Sequence, residues 1–206
     1  MNLNLALAQL KAMPSLAVRT NDAAALWSTS TETASQMLKR LSNAGHISRL
    51  KRNLWLLDPN AHPWKLHPFI TDPAPSYISL QTALFHHGMI EQIPTTIHLV
   101  STLKTRTLAT RGADYVIHQV TPAFFTGFVP FLDGPAQIAS PEKALIDFFY
   151  FRPTRSRNFR ALPELELPPD FRQDLVQELV ELIASPSRRR MVEHQLVPLH
   201  SGSEAS

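Results

Sequence analysis

The chain has 206 residues, enough for one large domain or two small ones, and it contains no cysteine, which excludes disulfides, thiolate nucleophiles and cysteine-based zinc sites. Net charge is only +3, yet residues 1–57 carry seven Lys and Arg against two Asp and Glu, while residues 58–206 carry thirteen against fifteen; a basic leading segment points to a polyanionic partner. There is no apolar run long enough to span a bilayer and no basic segment ahead of an apolar block at the N-terminus, so a cytoplasmic protein with no membrane partner is expected.

Leu3, Leu7 and Leu10 recur at helical spacing and predict a first helix over 3–12, ended by Pro14. Thr20 is placed to cap a short second helix over 20–27, with Asp22 in its first turn. Thr29 or Ser30 caps a third helix reaching to about residue 43; Thr29 with Glu32 has capping-box spacing, and Gly45 stands where a left-handed C′ residue belongs. On that helix Ala34, Met37, Leu38 and Leu41 form the inward stripe. The outward face carries Ser30, Thr31, Thr33, Ser35, Gln36, Lys39 and Arg40. Short hydroxyl and amide groups let a helix approach base edges in a major groove, and long cations reach phosphates. A face built only for solubility would more often alternate Glu and Lys.

The runs "HISRL" and "NLWLL" predict a hairpin tipped by Lys51, Arg52 and Asn53, Asn being tolerant of the left-handed conformation a tight turn needs. Arg49, Lys51 and Arg52 are expected to project from this wing over a DNA backbone. Both alternating faces of "LWLL" are apolar, so one should cover the three helices and the other should meet the rest of the chain. Residues 1–58 are thus read as a winged helix-turn-helix domain. Residues 59–76, with Pro59, Pro63, Pro68, Pro73 and Pro75, are expected to be an extended linker that packs through Trp64, Leu66 and Phe69.

Residues 77–200 are read as a second, α/β domain with a small sheet flanked by helices, which makes the whole chain α+β. In "YISLQTALFHHGMI" Ser79 caps a helix that Gly88 terminates. "TTIHLVST" and "ADYVIHQV" read as strands joined by a basic loop holding Lys104, Arg106 and Arg111, a candidate second contact to DNA. "IASPEKALIDFFYF" is a helix with Ser140 as cap, Pro141 at the first position and Glu142 near the positive dipole end. Two further helices follow, and "SGSEAS" reads as a frayed tail.

Ser140-Pro141-Glu142-Lys143-Ala144 with Asp147, preceded by "YISLQTALFHHGMI", "IHLVST" and a basic turn, resembles the AbiEi family of antitoxins of bacterial type IV toxin–antitoxin systems. The resemblance covers about residues 5–185. It implies an N-terminal winged helix, repression of the protein's own operon through double-stranded operator DNA, and neutralisation of a nucleotidyltransferase-like toxin. The alternatives are a protein-interaction module, or a stand-alone transcriptional regulator with no toxin.

No enzyme chemistry is expected. Glu142, Lys143 and Asp147 are the residue types of a metal-dependent nuclease, but Glu142 and Lys143 are adjacent on a helix and diverge, and Lys143 with Asp147 is read as an ordinary i,i+4 surface pair worth about 0.3 kcal/mol. His86 and His87 are neighbours, not at the i,i+4 spacing that helical zinc ligands prefer, and His62 and His67 fall on the linker; no metal or cofactor is expected. Two Arg clusters, Arg152, Arg155, Arg157 and Arg160, and Arg188 to Arg190, read either as a second DNA-backbone contact or a contact to toxin or RNA, or as solvated faces.

Overall fold

The leucine spacing at the N-terminus does form a helix, α1 over Leu3–Lys11, in the computed structural model, which describes residues 2–110, 112–152 and 165–201. The chain is α+β. α2 covers Thr20–Leu26 and α3 covers Thr31–Asn43. Between α1 and α2 runs β1, Ala17–Arg19, which at three residues is too short to leave an alternation in the sequence. The hairpin forms from β2, Ser48–Lys51, and β3, Leu54–Leu56. Arg52 and Asn53 make its turn, and Asn53 takes the left-handed backbone expected of it, with φ at +60°. The three strands pair antiparallel in the order β1-β3-β2.

Both faces of this sheet are dry. Val18, Trp55 and Leu57 join Ala6, Leu10, Ala34, Leu38 and Leu41 in a core with the three helices. Ala17, Leu50, Leu54 and Leu56 belong to the core of the second half. Trp55 pins the arrangement, its Nε1 donating to the buried Thr20 Oγ1 at 3.0 Å. Thr20 is therefore the first residue of α2 and not its cap; Arg19 holds the N-cap position without a side-chain bond.

Residues 59–76 are not an extended connector. Pro63 opens a 3-10 turn, Pro63–Leu66, and Pro68 lies in the first turn of α4, His67–Thr71. Proline is at home at the start of a helix, because the N–H it lacks would have no partner there. Leu66, His67, Ile70 and Thr71 are buried, and β4 already runs over Ser76–Ile78. The proline-rich segment is part of the second core, not a spacer. His67 ties it down: Gln137 N donates to His67 Nε2 at 3.0 Å, leaving Nδ1 to donate to Ser76 Oγ at 2.8 Å.

The second sheet is larger than expected. β5 (Thr96–Ser101), β6 (Arg106–Ala109), β7 (Asp114–Gln119), β8 (Phe128–Pro130) and β9 (Gln137–Ala139) join β4 in a six-stranded mixed sheet ordered β6-β7-β5-β4-β9-β8. β6 lies inside the stretch read as a basic loop. It is an edge strand whose residues are mostly exposed, so it has no apolar alternation to betray it. It forms an antiparallel hairpin with β7, and β7 then runs parallel to β5. α5 (Leu80–His86), α7 (Gln173–Glu181) and α8 (Pro186–Ser201) pack around α6 (Pro141–Phe151). As expected, Ser140 caps α6, its Oγ accepting from Lys143 N. The tail beyond residue 201 lies outside the described residues.

Candidate nucleic-acid interface

α3 presents its outward face because its inward stripe is fully engaged: Ala34, Met37, Leu38 and Leu41 are all buried. Ser30 is the N-cap, with its Oγ accepting from Thr33 N at 3.1 Å and lying 2.9 Å from Thr33 Oγ1. These two hydroxyls are thus partly committed to starting the helix, and the cap is Ser30 with Thr33, not Thr29 with Glu32. Thr31, Gln36, Lys39 and Arg40 are exposed, and Ser35 is half-buried. Gly45 follows the helix at φ +78°, as the C′ reading requires.

The wing is less free than its sequence suggests. Arg52 is exposed at the turn, and exposed Arg49 sets its guanidinium 5.9 Å from the centre of the Trp55 ring. Lys51 does not project outward. Its ammonium turns in to donate to the Ile70 carbonyl at 2.8 Å, fixing the hairpin against α4. A bulge between Arg49 and Lys51 breaks the strand alternation that would have put Lys51 on the outer side. Burial lowers the Lys51 pKa, and the positive charges of Arg106 and Arg19 lower it further.

Arg106, on β6, reaches the same Ile70 carbonyl at 3.4 Å, and Arg19 pairs with Asp72. The basic strand of the second half thus lies beside the wing. Lys104 is exposed just ahead of it, and Arg111 lies outside the described residues. A cleft of about 580 Å³ separates the two hairpins. Lys39, Arg49, Lys51 and Arg52 line it from one side, and Ala109 and Thr110 from the other. Nothing local in the sequence marks Arg19, Asp72, Ala109 and Thr110, because these residues meet the wing only through the packing of two halves.

In the remaining basic clusters Arg152, Arg188 and Arg189 have structural partners. Arg188 stacks at 4.5 Å from the centre of the Tyr150 ring, and Arg189 donates to the carbonyls of Glu181 and Ile183, closing the C-terminal end of α7. Arg152 bonds Gln195, while Arg155, Arg157 and Arg160 lie outside the described residues. Arg190 is exposed.

Lys143 and Asp147 correct the sequence reading. They are not a surface pair: both are fully buried, with Nζ 2.8 Å from Oδ1. Tyr77 Oη and Ser79 Oγ donate to Asp147 Oδ2 at 3.0 and 2.8 Å. The ammonium also lies 3.2 Å from the centre of the Phe124 ring. Burial presses the Lys143 pKa down, and the Asp147 charge opposes that. Glu142 is buried too and accepts from Arg172 N at 2.9 Å, fastening the start of α7. The trio is closed over by protein and holds elements together. Among the described residues no three His, Asp or Glu side chains form a metal-binding group. His87 Nε2 bonds the Ala139 carbonyl, and His86 packs on Trp64 and Phe131. No helix among the described residues is long and apolar enough to cross a membrane.

No known family model matches the chain, and no curated protein matches it either. Its function must therefore be read from the geometry.

Proposed function

We propose that the chain is a DNA-binding transcriptional repressor that inserts α3 into a major groove and lays the β2–β3 hairpin along the neighbouring backbone. The observation that carries this is the division of labour on α3. Its apolar stripe is spent entirely on the core, while Thr31, Gln36, Lys39 and Arg40 stand exposed and run on toward Arg49 and Arg52. Three helices with a β1-β3-β2 sheet behind them support a winged helix-turn-helix reading, in which the last helix would read bases and the wing would grip phosphates. The resemblance of the Ser140–Asp147 motif to the AbiEi antitoxins extends the proposal to a cytoplasmic antitoxin that represses its own operon and counteracts a nucleotidyltransferase-like toxin, with no enzymatic activity of its own.

Gel retardation of a labelled duplex covering the segment upstream of the gene tests the DNA reading. The Lys39→Ala, Arg40→Ala variant is expected to bind much more weakly while keeping its circular dichroism and melting temperature. Its salt dependence should flatten by about 0.9 in log–log slope for each phosphate that is no longer neutralised. Undiminished retardation would overturn the assignment. For the antitoxin role, co-expression with a toxin encoded beside the gene should restore growth; continued arrest at equal protein levels would remove it.

A further inference from the structure

We infer that the DNA site is shared by both halves of the chain, and that the cleft between the wing and the β6–β7 hairpin seats a backbone phosphate of the same duplex that α3 reads. The inference rests on the DNA-binding reading and adds the second half to it.

Charge is the first support. The cleft is lined by Lys39, Arg49, Lys51 and Arg52, and none of its described lining residues is a carboxylate. Of these, Lys51 shares a single acceptor, the Ile70 carbonyl, with Arg106, and nearby Asp72 is engaged by Arg19. One carboxylate and one carbonyl dipole do not balance three cations. Burial first, and then the like charges of Arg106 and Arg19, disfavour the ammonium form of Lys51, and an entering anion would offset the repulsive part.

Position is the second support. Lys39 belongs to α3 and Arg49 and Arg52 to the wing, so a duplex held by those elements runs past the cleft mouth. Across from them β6 is an edge strand of its six-stranded sheet, so Ala109 at its end faces the cleft with no further strand of that sheet beyond it. A free nucleotide fits less well. Among its described lining residues Trp55 is the one aromatic side chain, it is buried in the N-terminal core and offers no face for a base, and none of them is a glycine. A phosphodiester needs neither.

Full-length variants Arg106→Ala, Arg106→Lys and Ala109→Glu, titrated with the labelled upstream duplex at several salt concentrations, test this, with Lys39→Ala as the comparison. Arg106 and Ala109 are exposed, and thermal melts check that each variant is folded. Arg106→Ala and Ala109→Glu are expected to weaken binding several-fold and to reduce the salt slope by about 0.9, the value of one neutralised phosphate. Preference for the upstream duplex over a scrambled one should be unchanged, and Arg106→Lys should recover most of the affinity. Wild-type affinity and slope in both Arg106→Ala and Ala109→Glu, with Lys39→Ala weakened, would overturn the shared site while leaving the DNA reading intact. Wild-type binding by Lys39→Ala as well, or no binding by the unaltered chain, would remove the DNA reading and this inference with it.

Discussion

Lys143 shows how much a single side chain can hide. Its ammonium is held by Asp147 and Phe124, and Asp147 is held in turn by Tyr77 and Ser79. Lys143→Met leaves a buried carboxylate without its counter-charge and should cost about 3–5 kcal/mol in denaturant unfolding; combining it with Asp147→Leu should recover part of that loss. A cost below about 1 kcal/mol would mean that the pair is hydrated in solution. Gly127 guards the same spot: at φ +76°, an added Cβ would stand 3.0 Å from the Lys143 Cβ and Cγ atoms. Gly127→Ala should therefore destabilise by roughly 1–2 kcal/mol from backbone strain alone, with the side-chain clash adding to it. The Ser140 cap and Pro141 at the first helical position were legible, because helix starts are set by adjacent residues. The burial of Lys143 was not, because a Lys–Asp pair at i,i+4 looks the same on a surface and in a core. What distinguishes them is Tyr77 and Ser79, far back in the chain. Ser79 does stand at the N-cap of α5, but its hydroxyl serves Asp147 instead of the helix.

At the level of elements, histidines fasten strands and the proline-rich segment together in their neutral form. Burial lowers the pKa of His67 to about 3 and that of His118 to about 4; it takes His98 to about 3, with the His118 charge adding to the effect. His98 Nδ1 and His118 Nε2 lie 3.0 Å apart, joining β5 to β7. The ordinary value is 6.5, so below that pH the unfolded chain takes up protons that the folded chain refuses. Stability is full above about 6.5, falls as the pH drops toward 4 and levels off near 3, with each imidazole contributing about 1.4 kcal/mol per pH unit in between. Urea unfolding between about pH 7 and pH 4.5 checks the sign, and unchanged midpoints would show that these rings are hydrated in the native state. Sequence reading finds α1, α3, β5, β7 and α6 because each has a period or a cap of its own, and it places α2 although Thr20 proves to be the first helical residue and not the cap. It mistakes 59–76 for a linker because proline density suggests extension, whereas Pro63 and Pro68 sit in first helical turns, where proline is favoured.

For the molecule as a whole, the three-stranded sheet is the common boundary of two cores. A fragment ending at residue 58 would expose Ala17, Leu50, Leu54 and Leu56 together, so it should aggregate or melt well below the intact chain, as size-exclusion chromatography and thermal scans would show. The intact chain should unfold in one cooperative transition by both fluorescence and circular dichroism; two separated transitions would show that the halves are energetically independent. The basic character of the first sixty residues was legible from charge counting alone. The meeting of Arg19, Lys51 and Arg106 was not, since those three lie on separate strands of two different sheets and only the packing brings them together.

Lys51 bonded to Ile70, and Arg19 to Asp72, act as rivets across that boundary. A protein fastened this way has no loose tether between its halves, so α3 cannot swing independently of the body that carries it. If the proposed DNA reading holds, a change in the far half would reach α3 only as a shift of the shared wall itself, so that binding and release would involve the molecule as one piece.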